Sequence, residues 1–244
     1  MIMDNKIINS FGSRDNLNSE IWDLDGETKL KKNIRESLLK IADEFVKFID
    51  VNVFIHDITM TGSLANYNWS EFSDIDLHLI YNSNDIDIDK NELYSNIFNL
   101  KKTIFNSQHD ITIKSYEVEL YMQDLNEVHM STGVYSILYD DWINKPKKED
   151  VKIDKPNIEK KSKKWMDMID LLIDDISDDE LEIKLEKIDG LKDKLKKYRS
   201  CGLEKGGEYS DENIVFKYLR RNGYIQKLFD LKIGSIDKSL TLNQ

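Results

Sequence analysis

The sequence predicts an α+β protein: a small mixed β-sheet domain flanked by helices, followed by a helical C-terminal domain. Three observations carry this. In the first half, apolar residues switch between helical spacing and strict alternation. Both prolines, Pro146 and Pro156, fall close together near the middle of the chain, in a polar and highly charged stretch. Beyond that stretch the apolar pattern is helical throughout. The expected division is an N-terminal extension over 1–27, a sheet domain over 28–143, a linker over 144–157 and a helical domain over 158–244.

From about Thr28 to Ile49, residues Ile34, Leu38, Leu39, Ile41, Ala42, Phe45, Val46 and Ile49 recur at three- and four-residue steps, which predicts an amphipathic helix. VFIHDITMTG, residues 53–62, is β-branched and ends at Gly62, a strand running into a turn. Leu64 to Asn68 suit a short turn of helix. SDIDLHLIY, residues 73–81, alternates: Ile75, Leu77 and Leu79 face one side, and Asp74, Asp76, His78 and Ile80 the other. A second helix over Asp89–Ser107 carries Leu93, Ile97, Leu100 and Ile104 along one stripe. In ITIKSYEVELYMQD, residues 111–124, Val118, Leu120 and Met122 alternate with Glu117, Glu119 and Tyr121, a third strand.

NKPKKEDVKIDKPN, residues 144–157, reads as the linker. After it, Trp165, Met168, Ile169, Leu172 and Ile176 predict one core stripe. Leu181, Leu185, Ile188, Leu191, Leu195 and Tyr198 predict another, long enough for a helical hairpin. CGLEKGGEYS, residues 201–210, reads as a glycine-rich break. Ser210 with Asn213 then opens a last helix bearing Ile214, Phe216, Tyr218, Leu219, Ile225 and Leu228. GLEKGG lacks a preceding strand and a Gly-Lys-Ser/Thr ending, so it is not a phosphate loop.

Composition narrows the function. With 244 residues, 40% of them hydrophobic, the chain is long enough for a real core and is not of disordered composition. No apolar run approaches the roughly 18 residues a membrane span needs. The N-terminus lacks the layout of a secretory signal, and the single cysteine, Cys201, offers no intramolecular disulfide, so a cytoplasmic setting is expected. A net charge of -11 argues against non-specific binding of nucleic acid and confines any phosphate contact to local basic patches.

The chemistry concentrates in TGSLANYNWSEFSDIDLHLI, residues 61–80. Two aspartates two apart on a strand share a face, with Cα atoms roughly 6.5–7 Å apart. Carboxylates that close repel unless a cation lies between them, and hard divalent ions such as Mg2+ or Mn2+ take oxygen ligands while keeping positions for water and phosphate. A third carboxylate on a neighbouring strand would complete the site, and Glu119 and Glu117 are both placed for it. Upstream, Gly62 allows close approach of a phosphate and Ser63 adds a hydroxyl and an N–H donor.

The order strand, Gly62-Ser63, Asp74-x-Asp76 in an alternating strand, then an acidic strand, resembles the nucleotidyltransferase superfamily whose best-known member is DNA polymerase beta. The resemblance spans roughly residues 30–125. The surrounding text, including GVYSIL and GLEKGGEYSDENIVFKYLRRNGY, is similar to nucleotidyltransferase-like proteins of tailed phages, which would place the protein in the cytoplasm of a bacterial host. The resemblance implies a catalytic sheet domain and a helical domain that closes over the nucleotide. It also implies transfer of a nucleotidyl group from a nucleoside triphosphate, such as ATP, to an acceptor hydroxyl with release of pyrophosphate.

In that scheme Asp74, Asp76 and Glu119 are the catalytic, metal-binding carboxylates, with Glu117 the alternative for the third. Gly62 and Ser63 hold the β- and γ-phosphates, and Asn66, Lys217 and Arg221 also contact the nucleotide. The acceptor is left open between a small molecule, a protein side chain and a tRNA end. The rival expectation is a catalytically silent binding or virion-associated protein on the same fold. His78 shares the aspartate face and reads as packed or solvated. His129, like His56, has no partner at metal-ligand spacing.

Overall fold

A computed structural model of the chain describes residues 5–86, 91–127, 131–175 and 180–242. Asp89, His129 and Ile176 lie outside them. The described residues form seven helices, a six-stranded mixed sheet and a two-stranded sheet, an α+β fold. In chain order the first elements are α1 (Asn5–Asn9), β1 (Trp22–Asp23), β2 (Lys29–Leu30), α2 (Lys32–Ile49), β3 (Ile55–Thr61) and β4 (Ile75–Tyr81). They are followed by α3 (Asn91–Gln108), β5 (Thr112–Ile113), β6 (Tyr116–Asp124), β7 (Val134–Ser136) and β8 (Asp141–Asn144). Four helices close the chain: α4 (Lys155–Asp175), α5 (Leu181–Gly206), α6 (Asp211–Arg221) and α7 (Tyr224–Leu240).

Residues 13–150 make one compact unit; the described residues of 1–12 and 151–244 make a second. The first 27 residues, expected as one extension, therefore divide between the two.

In the sheet unit the strand order is β5-β6-β4-β3-β7-β8. Only β4 and β6 run parallel, joined by the crossover through α3. Ile75, Leu77 and Leu79 of β4 are fully buried against the Ile34, Leu38, Ala42, Phe45 and Ile49 face of α2. Each such side chain contributes about 1.5–3 kcal/mol by leaving water. A slip of one residue would put these side chains on the opposite face, so their burial fixes the register and sends Asp76 and His78 to the other side of the sheet.

Several sequence expectations need correcting. The helix expected from Thr28 starts at Lys32, because Lys29 and Leu30 pair with Asp23 and Trp22. The third strand is a hairpin: Lys114 and Ser115 adopt positive φ (53° and 68°) between paired Ile113 and Tyr116, the geometry of a tight two-residue turn. The face of α3 is rotated from the expected stripe. Phe98 and Phe105 are buried, while Leu93 and Leu100 are 57% and 62% exposed. Beside the short β5, the border of the sheet is completed by a side chain: Asn106 of α3 donates to the Leu120 carbonyl and accepts from the Leu120 N–H. The residue expected to open the linker, Asn144, ends β8 instead, paired with Val134.

In the helical unit the core stripe of α4 is Ile158, Ser162, Met166 and Ile169, and Met168 is 42% exposed. The α5 stripe of Ile188, Leu191 and Leu195 matches expectation, but the helix continues through the expected glycine-rich break to Gly206. Ser210 caps α6 by accepting from the Asn213 N–H. The expected single last helix is two, divided at Gly223, whose φ of 76° an L side chain adopts only with strain. No helix among the described residues is long and apolar enough to cross a membrane.

Candidate metal centre

Two neighbouring strands, β4 and β6, bring the acidic residues together. Asp74 immediately precedes β4 and Asp76 is its second residue. Glu119 of β6 lies in parallel register with Asp76, and Thr61, the last residue of β3, lies opposite Asp76 on its other side. One carboxylate oxygen from each of Asp74, Asp76 and Glu119 lies within 4.8 Å of the others, and all three residues are partly exposed. Opposite oxygens around a magnesium ion are about 4 Å apart, so small side-chain rotations would let one ion take all three. A purely oxygen donor set selects hard cations over zinc or copper.

Gly62 is fitted to this cluster. It has φ 76° and ψ -162°, and a Cβ built on it would lie 1.8 Å from Asp76 Oδ2. Its bare Cα therefore gives the Asp76 carboxylate its place. After it, Ser63–Ala65 form only a three-residue 3-10 turn, shorter than the helical turn expected over Leu64–Asn68. A macrodipole of useful size does not arise in so short a turn, so any anion held here would rest on individual N–H and hydroxyl donors. The turn is held by Trp22, whose Nε1–H donates to the Leu64 carbonyl (2.7 Å), and by Ser63, whose hydroxyl donates to Ser73 Oγ (2.7 Å).

The same face continues beyond the carboxylates along β4 and β6. The Tyr121 hydroxyl donates to Glu119 Oε2. Burial, then that hydrogen bond and the nearby Glu119, Asp76 and Asp74 charges, raise the Tyr121 phenol far above its ordinary value, so it remains a proton donor. The His78 ring stacks on Tyr121 with centroids 4.8 Å apart. Its Nδ1 lies 2.7 Å from Gln123 Oε1 and its Nε2 lies 3.3 Å from Thr61 Oγ1. A glutamine Oε1 only accepts, so this arrangement of the amide places the imidazole proton on Nδ1.

The structure brings together Asp74, Asp76, Glu119, Gly62 and Ser63. Glu117 is exposed, pairs with Thr112 of β5 and lies one residue before the β4 register begins at Val118. Asn66 is buried; its Nδ2 donates to Thr132 Oγ1 (2.6 Å) and its Oδ1 accepts from the Tyr67 N–H, so its amide is committed to the loop. Lys217 and Arg221 belong to the helical unit. Lys217 Nζ lies 3.7 Å from Glu208 Oε2, and burial lowers its pKa from the usual value. Arg221 donates to Ser10 Oγ (2.6 Å) and lies over the Phe11 ring. Tyr121, Thr61 and Gln123 join the site without a motif that marks them in the sequence. The signal for Tyr121 is its strand parity, which it shares with Glu119.

Compared with protein-family models, curated proteins and solved structures, the chain matches none.

Proposed function

We propose that the protein is a metal-dependent nucleotidyltransferase that moves a nucleoside monophosphate from a nucleoside triphosphate to an acceptor hydroxyl. The observation that carries this reading is the convergence of Asp74, Asp76 and Glu119 on one sheet face, with Asp76 packed against the backbone of Gly62. Mg2+ or Mn2+ bound by these carboxylates would neutralise charge on the triphosphate and lower the barrier to displacement at its α-phosphorus. Gly62 and Ser63, at the N-terminal end of β4, are the backbone available to the β- and γ-phosphates. Tyr121 holds one oxygen of Glu119 by hydrogen bond, which orients that carboxylate and leaves its other oxygen for a cation or a proton.

The test is calorimetric titration of each nucleoside triphosphate with Mg2+ into the wild type and into Asp74→Asn/Asp76→Asn. One triphosphate is expected to bind the wild type only with Mg2+, and the double variant at least about tenfold more weakly. Identical binding by both proteins sinks the proposal. Binding of no triphosphate favours a catalytically silent protein.

A further inference from the structure

Beyond the carboxylates, a cavity of about 380 Å3 extends from this face toward α3. Thr61, His78, Tyr121 and Gln123 line it from the carboxylate face, and Ser95, Phe98 and Asn99 of α3 line it with Tyr81 and Met122 from the core-packed side. The cavity is of small-molecule size. Hydroxyls, amides and an imidazole supply its polar groups. The charged residue lining it is the carboxylate of Glu127, and no lysine or arginine does so among the described residues. Lys102 lies over the Tyr121 ring, 4.5 Å from its centroid, without lining the cavity.

Position along the strands gives the cavity a role. Ser63, bonded to Ser73, lies where β4 begins, followed by Asp74, then Asp76 beside Glu119, then His78 beside Tyr121, with Gln123 two residues further along β6. Displacement at the α-phosphorus places attacking and leaving oxygens in line on opposite sides of phosphorus. With the departing pyrophosphate at Gly62 and Ser63, the attacking hydroxyl must come from the side of His78 and Tyr121.

We infer that this cavity is the acceptor subsite, and that the acceptor is a small polyhydroxylated molecule, neutral or amine-bearing, without a phosphate of its own. The inference rests on the nucleotidyl-transfer reading for its place in the reaction. The lining mixes hydroxyls, amides and an imidazole with the aromatic and apolar groups of Tyr81, Phe98 and Met122, and a polyol suits both, offering hydroxyls to the polar groups and C–H faces to the rings. A phosphorylated acceptor would set its charge beside Glu127, and no lysine or arginine among the described residues lines the cavity to offset it. In the transfer, the acceptor oxygen forms a bond to the α-phosphorus as the bond from that phosphorus to the bridging oxygen breaks. Pyrophosphate leaves with the electron pair, and the acceptor proton is released to solvent.

Asn99 is exposed on α3, so Asn99→Trp fills the cavity without touching the core. The experiment is saturation-transfer NMR on the full chain with free glucose, glucosamine and inositol, and with glucose 6-phosphate as the phosphorylated counterpart. Calorimetry of Mg2+-nucleotide binding runs in parallel. The expected result is binding of at least one non-phosphorylated probe, weakened about tenfold or more by Asn99→Trp, with nucleotide binding changed less than about twofold. Glucose 6-phosphate should bind more weakly than glucose. Failure of every non-phosphorylated probe to bind, a preference for the phosphorylated one, or equal binding by Asn99→Trp overturns the inference. Loss of nucleotide binding in the wild type alone would instead sink the transferase reading, because sugar binding is read without nucleotide.

Discussion

Position 62 and Asp76 are sterically exclusive of any side chain between them: a Cβ on residue 62 would lie 1.8 Å from Asp76 Oδ2. Gly62→Ala therefore forces the carboxylate aside and adds about 1 kcal/mol or more of left-handed backbone strain. The variant should still fold, as circular dichroism would record. Its Mg2+-dependent nucleotide binding should fall by about tenfold or more, because one metal ligand is displaced. Wild-type affinity in Gly62→Ala would show that the contact is not part of a binding site.

Mutual repulsion among Asp74, Asp76 and Glu119 leads to a second prediction. Without divalent ions, Asp74→Asn/Asp76→Asn should melt at or above the wild-type temperature, because removing like charges relieves their repulsion. At Mg2+ about a hundredfold above its dissociation constant, the wild type should gain about 5 °C or more and the double variant almost nothing. Scanning calorimetry with and without chelator checks both arms. Equal gains in the two proteins would place the ion elsewhere.

Asn106 satisfies both backbone groups of Leu120, a residue with no exposed surface. Asn106→Ala leaves a buried N–H and a buried carbonyl without those bonds, which should cost about 1–3 kcal/mol. Urea denaturation reads this directly. A neutral result would mean that water replaces the amide.

The rotation of α3 is testable by contrast. Phe98 is 2% exposed, and Phe98→Ala should destabilise by about 3–5 kcal/mol. Leu100 is 62% exposed, and Leu100→Lys should fall within about 0.5 kcal/mol of wild type. The reverse order of costs would restore the stripe that helical spacing alone suggests.

That reversal marks where sequence patterns carried and where they did not. On β4, strict alternation at Ile75, Leu77 and Leu79 leaves one face to be buried, and Asp76 followed from parity. On α3, apolar residues occupy two overlapping stripes, and periodicity cannot choose between them; the aromatic rings of Phe98 and Phe105 pack against Tyr81 and Phe45 and decide it. The choice of Glu119 over Glu117 needed the parallel register of β6 on β4, which is a non-local fact. β7 and β8 were missed because their short segments alternate too briefly to register. The run through Gly202 to Gly206 was misread because α5 tolerates glycines that composition alone marks as a break.

The side-chain amide at Leu120 has a further effect on how the molecule meets others. Along the outer border of β6, Val118 donates to the Ile111 carbonyl and Leu120 exchanges both of its bonds with Asn106. A strand from another polypeptide seeking to pair at Leu120 would first have to evict Asn106 from α3. The flank beside Glu119 is thus sealed against sheet extension, and the chain keeps its acidic face from being overgrown by the edge-to-edge stacking that exposed strands invite.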